Sequence, residues 1–376
     1  MNFEFSDDSL EFRDAARRLL SERCSLPVVR AVLEGGSPID RKLWDQVATS
    51  GWTGASIPEA YGGAGLGYEV LGLLSLELGR ALAPLPFVSS IYLAAELILL
   101  GATEAQKLAW LPGVAAGSSI GTLAAAEGFS DLDFDNMEVR AEGGTLSGVK
   151  WPVIDGSHCD FALVVARDHY GTGVYRVDLN QPGVSREKLQ SIDPSRDLAR
   201  LTFTQARAER MGEGDPRASI RNAINRAAIF VAFEQIGGAE ACLYAGRDYS
   251  VSRIAFGRPI GSFQAIKHKL AEVYAAVEIA RANAYYGVWA LTEPGVDLTL
   301  AAAAARISAT DAFHVAAKEN IQVHGGVGFT WDYDCHMFYR RSKQLALAIG
   351  ALPYWKEQLA SRLASGSRPS FGENHS

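Results

Sequence analysis

The sequence predicts an α+β chain in which a small β domain is set between two helical ones. Three observations lead there. From Ser6 to about Ala116 the pattern is helical; between about Gly117 and Glu209 short apolar or alternating runs stand between Gly, Asp and Pro turns; from Ala218 to about Ala364 long apolar helical stretches return. These changes of texture place the expected boundaries at 1–117, 118–212 and 213–365, with 366–376 a flexible tail.

The 376 residues are 48% hydrophobic, ample for a sizeable core in two or three domains. A formal net charge of -7 argues against a nucleic-acid surface, which needs clustered Lys and Arg in excess. A phosphate-bearing ligand must therefore be met by local basic residues. Cys24, Cys159, Cys242 and Cys335 are widely spaced, with no CxxC pair and no metal-ligand cluster, so reduced structural thiols and no metal site are expected. The start, Met1 to Asp8, lacks the features of a signal or transit peptide, and the apolar run Leu93–Leu100 is too short to span a bilayer. A cytoplasmic location without a membrane span is the expectation.

Ser6 is placed to cap a first helix whose Leu10, Phe12, Ala16, Leu19 and Leu20 line one face. Pro58 and repeated glycine make Ile57–Gly65 a loop, and Glu69 to Ala83 resumes a helix. Strands are expected around Val139–Ala141, Thr145–Lys150, Phe161–Ala166 and Leu201–Phe203. Ala223–Tyr244 and Leu298–His314 carry apolar residues on most faces and read as buried helices. The alanine run 301–305 allows close helix contact, as in a central bundle that also forms oligomer contacts.

The stretch from Arg247 to Leu270 organises the rest. Helical spacing through Ala239, Leu243, Gly246 and Tyr249 is stopped by Gly257, Pro259 and Gly261, and Ser262 with Ala265 opens another helix. The turn holds Arg253, Phe256 and Gln264 close together: a forked cationic donor, an apolar plate and a two-way amide, a set suited to a dinucleotide. On chemistry alone, a solvated charge and a core phenylalanine read at least as well.

The run Arg253-Ile-Ala-Phe256-Gly257-Arg-Pro-Ile-Gly-Ser-Phe263-Gln264 resembles the acyl-CoA dehydrogenase motif R-x-x-F-G-x-x-[IL]-x-x-[FL]-Q. A second run, Gln322-Val-His-Gly325-Gly326-Val-Gly328-Phe329, resembles that family's Q-x-x-G-G-x-G-[FY], in the family's order and separation. Gly51–Leu66 with Glu77–Ala81 resembles the family's amino-terminal helical domain. The resemblance implies an acyl-CoA dehydrogenase-like fold and FAD as cofactor. It also implies that Arg253, Phe256, Gln264, Gln322, Gly325 and Gly326 reach the FAD of a neighbouring chain.

In the family, strands of the middle domain lie along the flavin ring. Leu123-Ala-Ala-Ala126-Glu127-Gly aligns with the T-E-P-G segment, with Ala126 in place of the threonine. The pattern G-x-K-x-W-I-[TS]-N reads Gly148-Val-Lys150-Trp151-Pro152-Val153-Ile154-Asp155, tryptophan one place early and Ile154 where a hydroxyl residue would approach flavin N5. The resemblance thus assigns Leu123, Ala126, Trp151, Val153 and Ile154 to the cofactor, with main-chain groups able to replace the lost hydroxyls. Asp193-Pro-Ser-Arg196 resembles the family's D-x-[TS]-R segment.

The reaction implied is α,β-dehydrogenation of an acyl-CoA thioester: FAD takes a hydride from the β-carbon while a glutamate removes an α-proton. Electrons then pass to an electron-accepting flavoprotein. The base must be a shielded carboxylate whose pKa rises toward neutrality. The usual Y-E-G position reads Ala348-Ile349-Gly350, and the second position known in relatives falls on Ala227, so both are apolar. The nearest acid, Glu234, lies seven residues on, about 10 Å along the same helical face. Its apolar flanks suit a base, and suit still better a buried carboxylate paired with an arginine for structure. Asp332 and Asp334 are weaker candidates that read as helix anchors, and His324 and His336 read as hydrogen-bonded structure.

Three readings stay open: an active dehydrogenase using Glu234 or another base, a partner subunit that completes a homologous chain's FAD site, and a flavin enzyme of the same fold with other chemistry. The degenerate flavin segments, the run His324–His336 and Arg340-Arg341 resemble a bacterial branch with paired subunits acting on bulky steroid-derived acyl-CoA esters. A homotetramer or a two-plus-two heterotetramer with a homologous chain is the implied assembly.

Overall fold

The computed structural model describes residues 5–35, 39–128 and 133–366, so the first four residues and positions 367–376 of the expected tail lie outside the described residues. Along the chain come helices α1 (Asp7–Arg23), α2 (Leu26–Leu33), α3 (Arg41–Thr49) and α4 (Gly67–Arg80), then a π-helical segment Phe87–Ala95 running into α5 (Glu96–Gly101), and α6 (Glu104–Ala115). Strands follow as β1 (Gly121–Ala124), β2 (Arg140–Glu142), β3 (Thr145–Ile154), β4 (Phe161–Asp168), β5 (Gly171–Asp178), β6 (Val184–Lys188), β7 (Leu198–Arg207) and β8 (Glu209–Met211). The chain ends in α7 (Arg217–Ser252), a hairpin of β9 (Ile254–Ala255) and β10 (Arg258–Pro259), α8 (Gln264–Ala290), α9 (Leu298–His324), α10 (Cys335–Leu347) and α11 (Leu352–Ala364). The expected helix, sheet, helix order is present. Ser6 caps α1 by accepting the Ser9 N–H at 3.2 Å, and all four cysteines are buried and in no disulfide. Among the described residues, no helix is long and apolar enough to cross a membrane.

By contacts the chain forms two compact units, one of residues 1–26, 72–83 and 228–376, the other of residues 27–71 and 84–227. The second holds the sheet, in order β6-β7-β3-β2-β4-β5-β8, with β1 laid parallel to β4. β4 is buried from Phe161 to Ala166, which is why its sequence is a continuous apolar run. The strands β1, β5, β6 and β8 go beyond the four expected from sequence; β6 alternates half-buried and exposed positions and offers no apolar run to read. In the same unit Glu96 is fully buried. It accepts from Arg226 at 2.9 Å and from the Tyr68 hydroxyl at 3.1 Å. Burial pushes its carboxyl up, against the lowering pull of Arg226.

The first unit is built on helices that touch backbone to backbone. A Cβ on Gly79 of α4 would lie 1.9 Å from the Glu234 carbonyl oxygen, and one on Gly237 of α7 would lie 1.8 Å from that of Leu76. Gly238 likewise admits the Phe313 ring of α9, and Gly287 of α8 admits Ile229. Beside the crossing runs a charged network. Glu77 accepts from Arg17 at 2.7 and 3.0 Å and from Arg80 at 3.1 Å, and Arg80 and Arg281 both donate to Glu240.

Gly237→Ala should force α4 and α7 apart and lower stability by on the order of 1–3 kcal/mol. Gly246→Ala, in the same helix with its nearest neighbour at an ordinary 3.4 Å, should leave stability unchanged or raise it by up to about 1 kcal/mol. Urea unfolding of the two variants checks the contrast.

Candidate active site

α7 delivers its last residues to a hairpin whose register pairs Arg258 with Ala255 and Pro259 with Ile254. The tip is Phe256-Gly257, with φ of 55° and 78°, the mirror-image turn that two-residue hairpin loops favour. Glycine adopts that conformation freely, but phenylalanine is strained there. Phe256 is nonetheless 95% exposed, with Phe263 edge-on at 6.2 Å. The hairpin is closed by Ile260 N–H donating to Arg253 O at 2.9 Å, and a turn of 3-10 helix leads into α8 at Gln264. Arg253 and Gln264 are both exposed.

The glycine loop lies next to this hairpin in the same unit. Tyr249, whose carbonyl accepts the Arg253 N–H, stacks on His324 at 4.1 Å, the last residue of α9. The His324 Nδ1 is 2.8 Å from the Asn320 carbonyl, which fixes the ring. Gly325 then turns the chain with φ 65° and ψ -141°, a conformation reserved for glycine. Gln322, Gly325 and Gly326 are exposed, and Phe329 is 79% exposed. The aromatic stack that joins the two motifs is a contact across 75 positions of sequence, and no local pattern announces it. His336 stacks on Trp331 at 4.3 Å, and Asp334 stands immediately before α10.

In the other unit the two middle-domain segments meet. Trp151 N–H donates to Ala126 O at 3.0 Å, and Gly128 N–H donates back to Trp151 O at 2.8 Å. Thr122 donates its hydroxyl to Ile154 O at 2.6 Å, beside Leu123. Leu123, Ala126 and Trp151 are half-buried, whereas the side chains of Val153 and Ile154 are buried, so those two offer only backbone to a ligand. Opposite β7, β3 shifts register between Lys150 and Val153. Such an irregularity re-aims side chains, and here it coincides with the tryptophan that stands one place early. Arg200 lies over the Trp151 ring at 5.1 Å.

Three of the candidate base positions are enclosed, whereas Asp332 is exposed and Asp334 half-buried. Ala227 and Glu234 are fully buried and Ile349 nearly so. Glu234 belongs to the α4–α7 crossing, its carbonyl against Gly79 and its neighbour Gln235 bonded to Thr310 and Arg306.

Residues 6–118 match the family "Acyl-CoA dehydrogenase, N-terminal domain" and residues 217–364 match "Acyl-CoA dehydrogenase, C-terminal domain". The acyl-CoA dehydrogenase IpdE2 of Mycobacterium tuberculosis is 33% identical over 88% of this chain and 89% of its own. The chain belongs to the acyl-CoA dehydrogenase family. Among solved structures, a variant of the Tcur3481-Tcur3483 steroid ACAD superposes with a TM-score of 0.87 at 30% identity, covering 96% of this chain and 99% of that one. The ChsE4-ChsE5 complex from Mycobacterium tuberculosis shares the fold, with a TM-score of 0.89 at 24% identity over 98% of this chain and 100% of that one.

As an acyl-CoA dehydrogenase the chain is a flavoprotein oxidoreductase, and its cofactor is FAD. Each unit by itself carries chemistry that fits that group: one has exposed Arg253, Gln264 and Phe256 and a glycine loop open to close approach, the other a strand seam with half-buried Leu123, Ala126 and Trp151. Bound FAD supplies the hydride acceptor. Residues of this chain would hold that group through cationic, amide and apolar contacts.

Phe256→Gly removes the strained tip conformation at the cost of almost no buried area. Stability of the chain should stay level or rise by up to about 1 kcal/mol, as read by thermal or urea unfolding.

Proposed function

We propose that this acyl-CoA dehydrogenase oxidises a bulky, steroid-derived acyl-CoA in the cytoplasm, as one half of a two-plus-two heterotetramer with a homologous chain, and passes its electrons to a flavoprotein acceptor. One observation carries the reading. The residues that would serve a neighbour's cofactor are kept and exposed, whereas both familiar base positions, Ile349 and Ala227, are apolar and enclosed. Val251, Ile254, Phe256 and Phe329, all more than half exposed, flank the same motifs. An apolar surface of that kind is suited to burial against another chain. The paired names of the Tcur3481-Tcur3483 steroid ACAD and the ChsE4-ChsE5 complex support two-component assemblies and a steroid-type substrate.

In this reading Arg253 makes a charge-assisted contact to the neighbour's FAD phosphates, Gln264 and Gln322 hold polar edges, Phe256 covers an apolar face, and Gly325 and Gly326 allow the backbone to approach. Leu123, Ala126, Trp151, Val153 and Ile154 line the flavin through backbone and apolar contacts, and the proton-abstracting glutamate stands on the partner.

A second reading is favoured by the burial of Glu234 two helical turns from Ala227. There the chain is a homotetramer and Glu234 is its own base.

Arg253→Ala in the intact oligomer should weaken FAD binding by about 1.5–3 kcal/mol, measured by titrating FAD into deflavinated protein. Unchanged affinity would remove the cross-subunit role. Expression alone and with a homologous chain separates the two assemblies. The heteromer predicts flavin-poor protein alone and flavin bleaching by acyl-CoA only with the partner. A yellow homotetramer that dehydrogenates acyl-CoA alone, and stops when Glu234→Gln is introduced, would establish the second reading.

A further inference from the structure

Lys150 lies on β3 between two glycine-flanked segments, fully buried, an unusual place for a lysine. Its ammonium donates to Glu127 Oε1 at 2.7 Å and to Ala125 O at 3.0 Å, and lies 3.7 Å from Met137 Sδ. Glu127 in turn accepts the Glu138 N–H at 2.6 Å and the Val139 N–H at 3.1 Å. One ion pair thus ties three segments: 125–127 after β1, 137–139 leading into β2, and 150–151 within β3. The residues next to the pair on each side, Ala126 and Trp151, are joined by their own backbone bond and are candidate flavin contacts.

We propose that the Lys150–Glu127 pair, its lysine buried and its glutamate half-buried, positions the flavin-facing seam, so that FAD affinity depends on this clasp although neither side chain touches the cofactor. The proposal rests on the reading that Ala126 and Trp151 face the flavin. A buried ion pair is a poor device for raw stability, because desolvating both charges offsets most of their attraction. Its use here is geometric. The backbone of 125–128 meets β3 through a single bridge between Glu127 and Trp151, and the clasp adds four side-chain bonds at that point.

The two groups also make the clasp sensitive to pH. Burial pushes the Lys150 ammonium down to about 8 from 10.5, with Glu127 the one charged group opposing that fall. Burial disfavours the Glu127 charge as well, but the Glu138 and Val139 N–H groups and Lys150 outweigh it and hold the carboxyl low. Above about pH 8 the lysine loses its charge and the clasp its charge-assisted bonds, so FAD affinity should fall several-fold between pH 7 and 9.5. Fold stability responds to this group in the opposite sense. The unfolded chain binds the proton more tightly between about 8 and 10.5, so the Lys150 contribution to stability rises with pH there. A merely structural lysine would move stability and leave FAD affinity flat.

The test uses the assembled oligomer, deflavinated and retitrated with FAD while flavin fluorescence is followed, with unfolding measured in parallel. Lys150→Met should weaken FAD binding at least tenfold at pH 7 and abolish the pH dependence. Glu127→Gln, whose single amide oxygen keeps an acceptor for one of the Glu138 and Val139 N–H groups, should give an intermediate loss and holds the test open if the methionine variant does not fold. Ala126→Leu tests the underlying reading alone. If it leaves FAD affinity unchanged, the seam does not face the flavin and the proposal falls with that reading. If Ala126→Leu weakens binding while folded Lys150→Met and Glu127→Gln bind FAD as the parent does, the seam faces the flavin and the clasp is overturned.

Discussion

The helical unit depends on a contact in which two backbones touch. Gly79 and Gly237 have no Cβ, and the space each would fill is occupied by a carbonyl oxygen of the opposite helix. The approach brings Glu77 and Arg80 of α4 beside Glu240 of α7, and Arg17 of α1 and Arg281 of α8 complete the set. Glu77 and Glu240 are both buried, so these pairs gain little net stability over apolar packing. They are better understood as registration. A slip of α7 by one residue would rotate Glu240 by about 100° and leave buried charges unpaired.

Registration matters because α7 leads at its far end into the hairpin proposed to serve a neighbour's cofactor. One helix of 36 residues runs from Arg217 to Ser252, and the hairpin with Arg253 and Phe256 begins at the next residue. A helix held by glycine contacts at 237 and 238 and pinned by charge at 240 transmits its position rigidly to that hairpin. The Tyr249–His324 stack then couples the hairpin to the glycine loop at the end of α9. The strain at Phe256 fits this picture, because a phenylalanine at positive φ and in solvent makes no contribution to the isolated fold that would explain it.

How much of this was legible in the sequence follows from how local each signal is. The hairpin motif is a run of twelve residues whose glycines and proline dictate a turn, so helix, turn and helix were readable, though not the two short strands within it. The apolar run of β4 and the long helices α7 and α9 were readable from patterning alone. The seam was legible only in part. Its two halves could be named by resemblance, but the bonds between Trp151 and Ala126, and the Lys150–Glu127 pair, join positions more than twenty apart. The burial of Val153 and Ile154 was also hidden, because the register shift in β3 depends on the pairing with β7.

The same view of buried charge bears on the missing base. A carboxylate that takes a proton from carbon must be able to become neutral without stranding a cation. Glu77 and Glu240 hold Arg17, Arg80 and Arg281; Glu96 holds Arg226; Glu319 holds Lys269 and Lys318. Neutralising Glu77, Glu96 or Glu240 would leave a partly desolvated arginine without its counter-charge, which costs about 3–5 kcal/mol where the pair is buried. Asp155 and Asp197 flank His158 and are committed to one another's electrostatics. These carboxylates are fastened to structure, and the two readings proposed above, Glu234 or a glutamate of a second chain, do not draw on them. The choice is then a question of assembly, because the residues this chain exposes are suited to completing a neighbour's site.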